Sequence, residues 1–218
     1  MKTKAYKGIG MEGPIARWYA RITRRDLNEI RALARRMSEE LAEQASVLEV
    51  APGPGYFSIE LAKLGKYRIT GLDISETFVE MARQNAREAG VEVDFRRGNA
   101  SSMPFEEGSF DRILCRAAFK NFTDPVGALR EMHRVLARGG KAAIIDLRKD
   151  APNQEIDAYV DTMGVGRLNG AFIKLSFRMM LRKRAYTRGD FEQFIRQSGF
   201  LQFAIADAPL GFEITLTK

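Results

Sequence analysis

From residue 46 to residue 147 the chain alternates short apolar runs with amphipathic stretches of helical period, and no other feature limits its fold so strongly. "SVLEVA" (46–51), "YRITGLD" (67–73), "VEVDF" (91–95), "FDRILCRA" (110–117) and "KAAIIDL" (141–147) read as strands. Between the first two, residues 56–64 predict a helix ended by Gly65. Ser75 reads as the cap of the next, which carries Phe78, Met81, Ala82 and Ala86 on one face and stops at Gly90. Asp124-Pro125 reads as cap and first residue of a third helix, burying Val126, Leu129, Met132 and Leu136 and ending at Gly139-Gly140. Strands that alternate with helices need crossovers, hence a mostly parallel sheet with helices on both faces. A helix near 189–198 and strands at "LQFAIAD" and "FEITLTK" follow, so the expected class is α/β with a seven-stranded sheet.

Two stretches lie outside this rhythm. The first 45 residues are helical by period, with Leu27, Ile30, Leu33, Ala34, Met37 and Leu41 on one face, and residues 150–185 read as a helical insertion after strand five. The expectation is one domain, 1–218, with an N-terminal cover (1–45), a ligand-binding core (46–148) and a lid (150–185). Both additions lie over the sheet's C-terminal edge, where open α/β sheets bind ligands. Charge singles out the second addition. The net charge is +7, and seven of the 35 basic residues lie between Thr162 and Gly189 with no acid among them; the others balance the 28 acidic residues. Residues 167–184 predict an amphipathic helix, with Lys174, Arg178 and Arg182 on one face and Leu168, Phe172, Leu175 and Met179 on another. Such a segment suits a lid over an anionic or hydrophobic small molecule, a membrane-surface contact, or RNA docking. RNA is the least expected, since no recognition domain or interleaved exposed aromatics accompany it. The chain has no apolar run of roughly 18 residues, no signal-peptide core and only Cys115, which together predict a cytoplasmic protein.

The turn "APGPG" (51–55) is the first chemical clue. Gly53 and Gly55 permit positive φ and close approach of a ligand to the backbone, and Pro52 and Pro54 stiffen the turn. Asp73 ends strand two, where a carboxylate can accept both hydroxyls of a ribose. Asn99-Ala100 follow strand three, where an amide can meet an adenine edge. Three adjacent strand ends thus describe a site for an adenosine-containing cofactor. The third glycine of a dinucleotide fingerprint is replaced by Ser58, and no phosphate loop with Gly-Lys-Ser/Thr is present.

These motifs, in this order over residues 46–148, resemble the class I S-adenosylmethionine-dependent methyltransferases, nearest the ubiquinone/menaquinone-type branch. "VLEVAPGPGYFSIELAK" resembles the first family motif, "GLDIS" the second, and the stretch from "GNASSMPF" to "IIDLR" the others. The sequence departs at Ala51, which replaces the turn's first glycine, and at Asn99, where an acid is common. The resemblance implies a Rossmann-like fold and a methyl group passed from S-adenosylmethionine to a small organic acceptor by in-line displacement, leaving S-adenosylhomocysteine. It implies that Ala51, Gly53 and Gly55 pass beneath the methionine part, with Glu49 orienting the turn or the amino group. Asp73 would hold the ribose, Ile74 flank the adenine, Asn99 and Ala100 bind its edge, and Arg116 face the methionine end. The rival readings are an RNA or protein methyltransferase docking through 167–184, and a cofactor-binding protein without turnover.

No catalytic residue is assigned, because positioning and desolvation supply much of the acceleration of such a transfer. Asp146, at the end of strand five, and Tyr19, in the N-terminal cover, are the candidates. Pairing with Arg148 or Lys149 is the other reading of Asp146. Trp18 and Tyr19 are both placed to close over cofactor or substrate. His133 reads as structural and Cys115 as a core residue. No metal site is expected.

Overall fold

In the computed structural model, which describes residues 6–7, 10–162, 167–208 and 210–218, the strands bury alternate residues on opposite sides of one sheet. Leu48 and Val50 of β1 (Ser46–Val50) face one cluster while Val47 faces another. The same alternation separates Ile113 and Cys115 from Leu114 on β4 (Phe110–Arg116). This period of two, with both sides apolar, is what a doubly covered sheet requires. The remaining strands are β2 (Arg68–Asp73), β3 (Asp94–Arg97), β5 (Leu136–Leu147), β6 (Gln202–Ala208) and β7 (Gly211–Thr217). The sheet has seven strands in the order β3-β2-β1-β4-β5-β7-β6. The first five are parallel, and β7 pairs antiparallel with both β5 and β6.

Helices α2 (Leu27–Ser38), α3 (Tyr56–Ala62) and α4 (Glu76–Ala89) cover one side through Ile30, Ala34, Met37, Phe57, Leu61, Val79 and Ala82. Helices α5 (Pro125–Val135) and α8 (Arg188–Arg196) cover the other through Ala128, Leu129, Met132, Phe191 and Ile195. Their starts are capped as the sequence suggests. Ser75 Oγ accepts from the Phe78 N–H, and Asp124 accepts from Gly127 ahead of Pro125. Each such cap contributes about 1 kcal/mol. The expected end of α5 at Gly139-Gly140 is incorrect: the helix stops at Val135, and Leu136 is already extended (ψ 135°). The glycines instead shape the start of β5. Gly139 has φ 74°, and a Cβ on Gly140 would lie 2.9 Å from the carbonyl oxygens of Ala137 and Asp111. The third strand begins at Asp94 rather than Val91, because the Val91 N–H is spent on the Ala86 carbonyl at the end of α4.

The N-terminal cover consists of α1 (Gly13–Thr23), a 3-10 turn (Arg24–Asp26) and α2. After β5 come α6 (Asn153–Thr162) and α7 (Arg167–Arg184), so the insertion is helical. The face of α7 that turns to α6 carries cations beside Phe177. Lys174 and Arg178 turn inward to Asp161 (2.8 Å) and Asp157 (2.6 Å) on α6, with side chains only 24% and 31% exposed. Leu175 and Met179 point out, at 55% and 49%. Two of the three cations expected to form a free basic stripe are therefore neutralised within the insertion; the side chains of Leu168, Phe172 and Arg182 lie outside the described residues.

Candidate functional site

The chain order reverses at β1 and β4, which lie side by side in the sheet, and the turns that leave them carry the two backbone outliers of the site. Ala51 has φ 57° directly after β1, and Ala117 has φ 57° directly after β4. A non-glycine residue in the left-handed region costs on the order of 1–2 kcal/mol, so each must be held by its surroundings. Ala51 is held by its N–H, which donates to the Leu72 carbonyl at 2.8 Å. Ala117 is held from both sides. Its N–H donates to the Ile145 carbonyl at 2.7 Å, and its carbonyl accepts from Lys120 Nζ at 2.5 Å.

Asp73 organises the first of these turns. Its carboxylate accepts the Gly53 N–H and the Ser75 N–H, each at 2.9 Å, tying β1's turn to the start of α4. A carboxylate has about four lone-pair sites, so acceptor capacity remains for a ligand. Burial pushes its pKa up to about 6, against the backbone donors from Ser75 and Gly53. Glu49, buried within β1, accepts from both the N–H and the hydroxyl of Ser58 at 3.1 and 2.5 Å; burial raises it to about 7 against those bonds. Of its two anticipated tasks, Glu49 is thus seen in the first, fixing the turn to α3.

The two glycines turn out to be glycines for different reasons. A Cβ on Gly55 (φ 79°) would strike Phe95 at 2.6 Å and Ala82 at 2.9 Å, so its bare backbone serves packing. A Cβ on Gly53 (φ 55°) meets nothing within 4 Å. Only Gly53 leaves the open approach that a bound molecule needs. Beside it Ile74 is 38% exposed, and Asn99 uses Oδ1 to accept the Ser101 N–H at 3.0 Å, leaving its NH2 as a donor. Arg116, at the end of β4, faces Glu29 of α2 at 3.7 Å.

Residues 48–144 match the family described as a methyltransferase domain. Over these residues, a little under half of its length, the chain is similar to the class I S-adenosylmethionine-dependent methyltransferases. The open side of Gly53, the spare acceptor capacity of Asp73 and the amide of Asn99 fit an adenosine-bearing sulfonium ligand. The chain is 37% identical over 101 residues to a demethylmenaquinone methyltransferase of Deinococcus radiodurans, covering 46% of this chain and 42% of that one. It is 37% identical over 108 residues to YcgJ, an uncharacterized methyltransferase of Bacillus subtilis, covering 49% and 42%. The chain thus spans less than half the length of these curated relatives. A SAM-dependent methyltransferase from Aquifex aeolicus has a similar fold, with a TM-score of 0.65 at 18% identity over 88% of this chain and 97% of that one. So does the cyclase SpnF, at 0.61 and 22% over 80% and 59%. At these identities the likeness concerns the fold alone.

The catalytic candidates fare less well. Asp146 pairs with neither Arg148 nor Lys149. It is buried and accepts from Lys120 Nζ and the Lys120 N–H at 2.8 Å, and from the Leu147 N–H at 2.7 Å. A carboxylate so engaged holds the loop after β4. Tyr19 packs edge-on against Phe78 with ring centroids 5.9 Å apart, and burial raises its hydroxyl pKa despite Arg116, so near neutrality it donates rather than abstracts. Trp18 turns away from the site and is 61% exposed. His133 packs against Phe200 with centroids 4.9 Å apart, and Cys115 is fully buried, both as anticipated.

Lys120 and Glu12 were missed. The one signal for Lys120 was a lysine inside the otherwise apolar "AAFKNF". Glu12 clamps the N-terminal segment to α4, accepting the Glu76 and Thr77 N–H groups at 3.1 and 3.0 Å, while Ser75 Oγ donates to the Met11 carbonyl at 2.6 Å. At the other end of this segment the Lys7 N–H donates to the Asn121 carbonyl at 2.8 Å. A groove of about 830 Å³ lies at the opposite sheet edge between the end of α2 and the start of β5. Its central charges are already paired, Glu40 with Arg112 at 2.5 Å and with Lys141 at 3.7 Å.

Proposed function

We propose that the chain transfers a methyl group from S-adenosylmethionine to a small organic acceptor at the β1/β4 edge. The reading is carried by one observation: Gly53, the one of the two glycines in the 51–55 turn with open space above it, is held by the same Asp73 carboxylate that keeps acceptor capacity for a ribose. In this reading Ala51, Gly53 and Gly55 support the methionine part, with Glu49 holding their turn. Asp73 takes the ribose hydroxyls, Ile74 covers the adenine, Asn99 and Ala100 meet its edge, and Arg116 faces the methionine end. When bound, the cofactor supplies an electrophilic methyl carbon for in-line displacement. The protein supplies position and exclusion of water, with residues 1–45 and 150–185 covering the core 46–148. No dedicated base is required of Asp146 or Tyr19. A small hydrophobic acceptor is favoured by the quinone-type names among the relatives and by the aromatic Tyr19 and Tyr159 near Arg116.

Calorimetry with S-adenosylhomocysteine should give a micromolar-range dissociation constant, roughly −8 kcal/mol. Incubation with S-adenosylmethionine and a panel of lipophilic phenols and quinols should then yield S-adenosylhomocysteine. Absence of heat with either sulfur compound, together with binding of NAD, would overturn the cofactor site. Cofactor binding with transfer only to RNA or protein would overturn the acceptor class.

A further inference from the structure

Helix α1 is two-sided in a way that the site does not require. Its inner face buries Ala16 and Ala20, and the Ala20 carbonyl accepts from Tyr56 Oη at 3.2 Å beside the cofactor turn. Its outer face exposes Ile15 (41%), Trp18 (61%) and Ile22 (39%), spaced three and four apart and so forming one ridge. Next to this ridge stand Arg17, Arg21, Arg24 and Arg25, all exposed, and Gly13–Arg25 contains no acidic residue. Among the described residues none of these four arginines forms an ion pair. The cations of α7 differ, since Lys174 and Arg178 are already bound to α6.

We propose that the outer face of α1 docks on an anionic lipid bilayer. A short helix with a Trp-containing apolar ridge beside unpaired arginines is suited to the headgroup boundary, where the ridge enters the acyl region and the guanidinium groups meet lipid phosphates and carboxylates. A second copy of the chain fits less well, because a two-fold contact through this ridge brings both sets of arginines together without a carboxylate. RNA accounts for the arginines and not for the ridge. Docking would hold the mouth of the site against the bilayer, since Tyr19 of the same helix lies at the inner rim. The proposal does not depend on which acceptor is methylated.

Trp18 is the only tryptophan in the chain, so its fluorescence reports this face alone. The experiment mixes the full chain with vesicles of phosphatidylcholine, with or without phosphatidylserine, and follows Trp18 emission and co-sedimentation. Vesicles containing phosphatidylserine should shift the emission to the blue and carry the protein down, with affinity falling as salt rises. Arg17→Gln with Arg21→Gln should weaken binding roughly 25-fold, about fivefold per arginine. Ile15→Ser with Ile22→Ser, which keeps the reporter, should abolish the blue shift. Binding of S-adenosylhomocysteine serves as the control for folding in each variant. The proposal fails if the emission does not move with vesicles. It fails equally if Leu175→Ser with Met179→Ser abolishes binding while the α1 variants retain it. Burial of Trp18 in a dimer without lipid, or an RNA complex indifferent to Ile15 and Ile22, would also overturn it.

Discussion

Replacing Lys120 with Met should be among the most damaging single changes in the sheet's C-terminal edge. The Lys120 and Asp146 side chains are 6% and 0% exposed and meet at 2.8 Å. Removing the ammonium leaves a buried carboxylate with two backbone donors and no countercharge, which typically costs 3–5 kcal/mol. It also frees the Ala117 carbonyl, so the strained φ of 57° loses one of its two restraints. For a chain of this size about 1 kcal/mol corresponds to 2–4 °C in Tm, so the expected fall is on the order of 10 °C. Urea unfolding at unchanged m gives the free energy directly. Lys120→Met combined with Asp146→Leu should recover part of the loss, because no isolated charge then remains, and the cycle yields a coupling of at least about 1 kcal/mol. A loss below about 1 kcal/mol for Lys120→Met would place the pair with solvated surface bridges and refute the loop-holding role of Asp146.

Asp73→Ala should weaken S-adenosylhomocysteine binding by about 1.5–3 kcal/mol in calorimetry, and the turn should loosen because the Gly53 and Ser75 N–H groups lose their acceptor. Glu49 and Asp73 titrate above their ordinary values of 4.5 and 3.8, near 7 and 6. Their stabilising contribution is therefore complete below those ordinary values and is lost as pH rises through 6 and 7. Thermal unfolding of the free protein should show Tm falling from pH 5 to pH 8, and Glu49→Gln should remove up to about 3 kcal/mol of that dependence; an unchanged slope in this variant would count against it. Ala51→Gly should raise stability by up to about 1 kcal/mol, the relief of positive φ being partly offset by chain entropy. Equal or lower Tm would show that the methyl group's packing outweighs the strain.

What was readable in the sequence depended on how local its cause is. Ser75, Asp124-Pro125 and Gly90 act on their own helix ends, and the structure uses them as anticipated. The Gly139-Gly140 pair was misread because its partners, the Asp111 carbonyl and the chain's end at Lys218, are remote in sequence. Which face of α7 turns inward was not legible for the same reason: period alone separates two faces, and the carboxylates of α6 decide which turns inward. The positions of Gly53, Asp73, Ile74 and Asn99 at or just after strand ends were legible because strand ends follow from the alternation. The distinction between Gly53 and Gly55 was not, since it rests on Phe95 two strands away. Asp146 was correctly placed at the edge, but its partner Lys120 comes from another strand's loop.

The clamp on the N-terminal segment also imposes a sequence of events on a chain made from its first residue. Glu12 needs the amides of residues 76 and 77, and Lys7 needs the carbonyl of residue 121. At roughly 5–20 residues per second of synthesis, the segment waits several seconds for both anchors. During that wait α1 has neither Tyr56 nor Thr77 to rest on, and its apolar ridge and its future buried face are equally bare. The cover is thus made before every group that anchors it, and the nascent α1 stays bare until residues 56, 77 and 121 have been made.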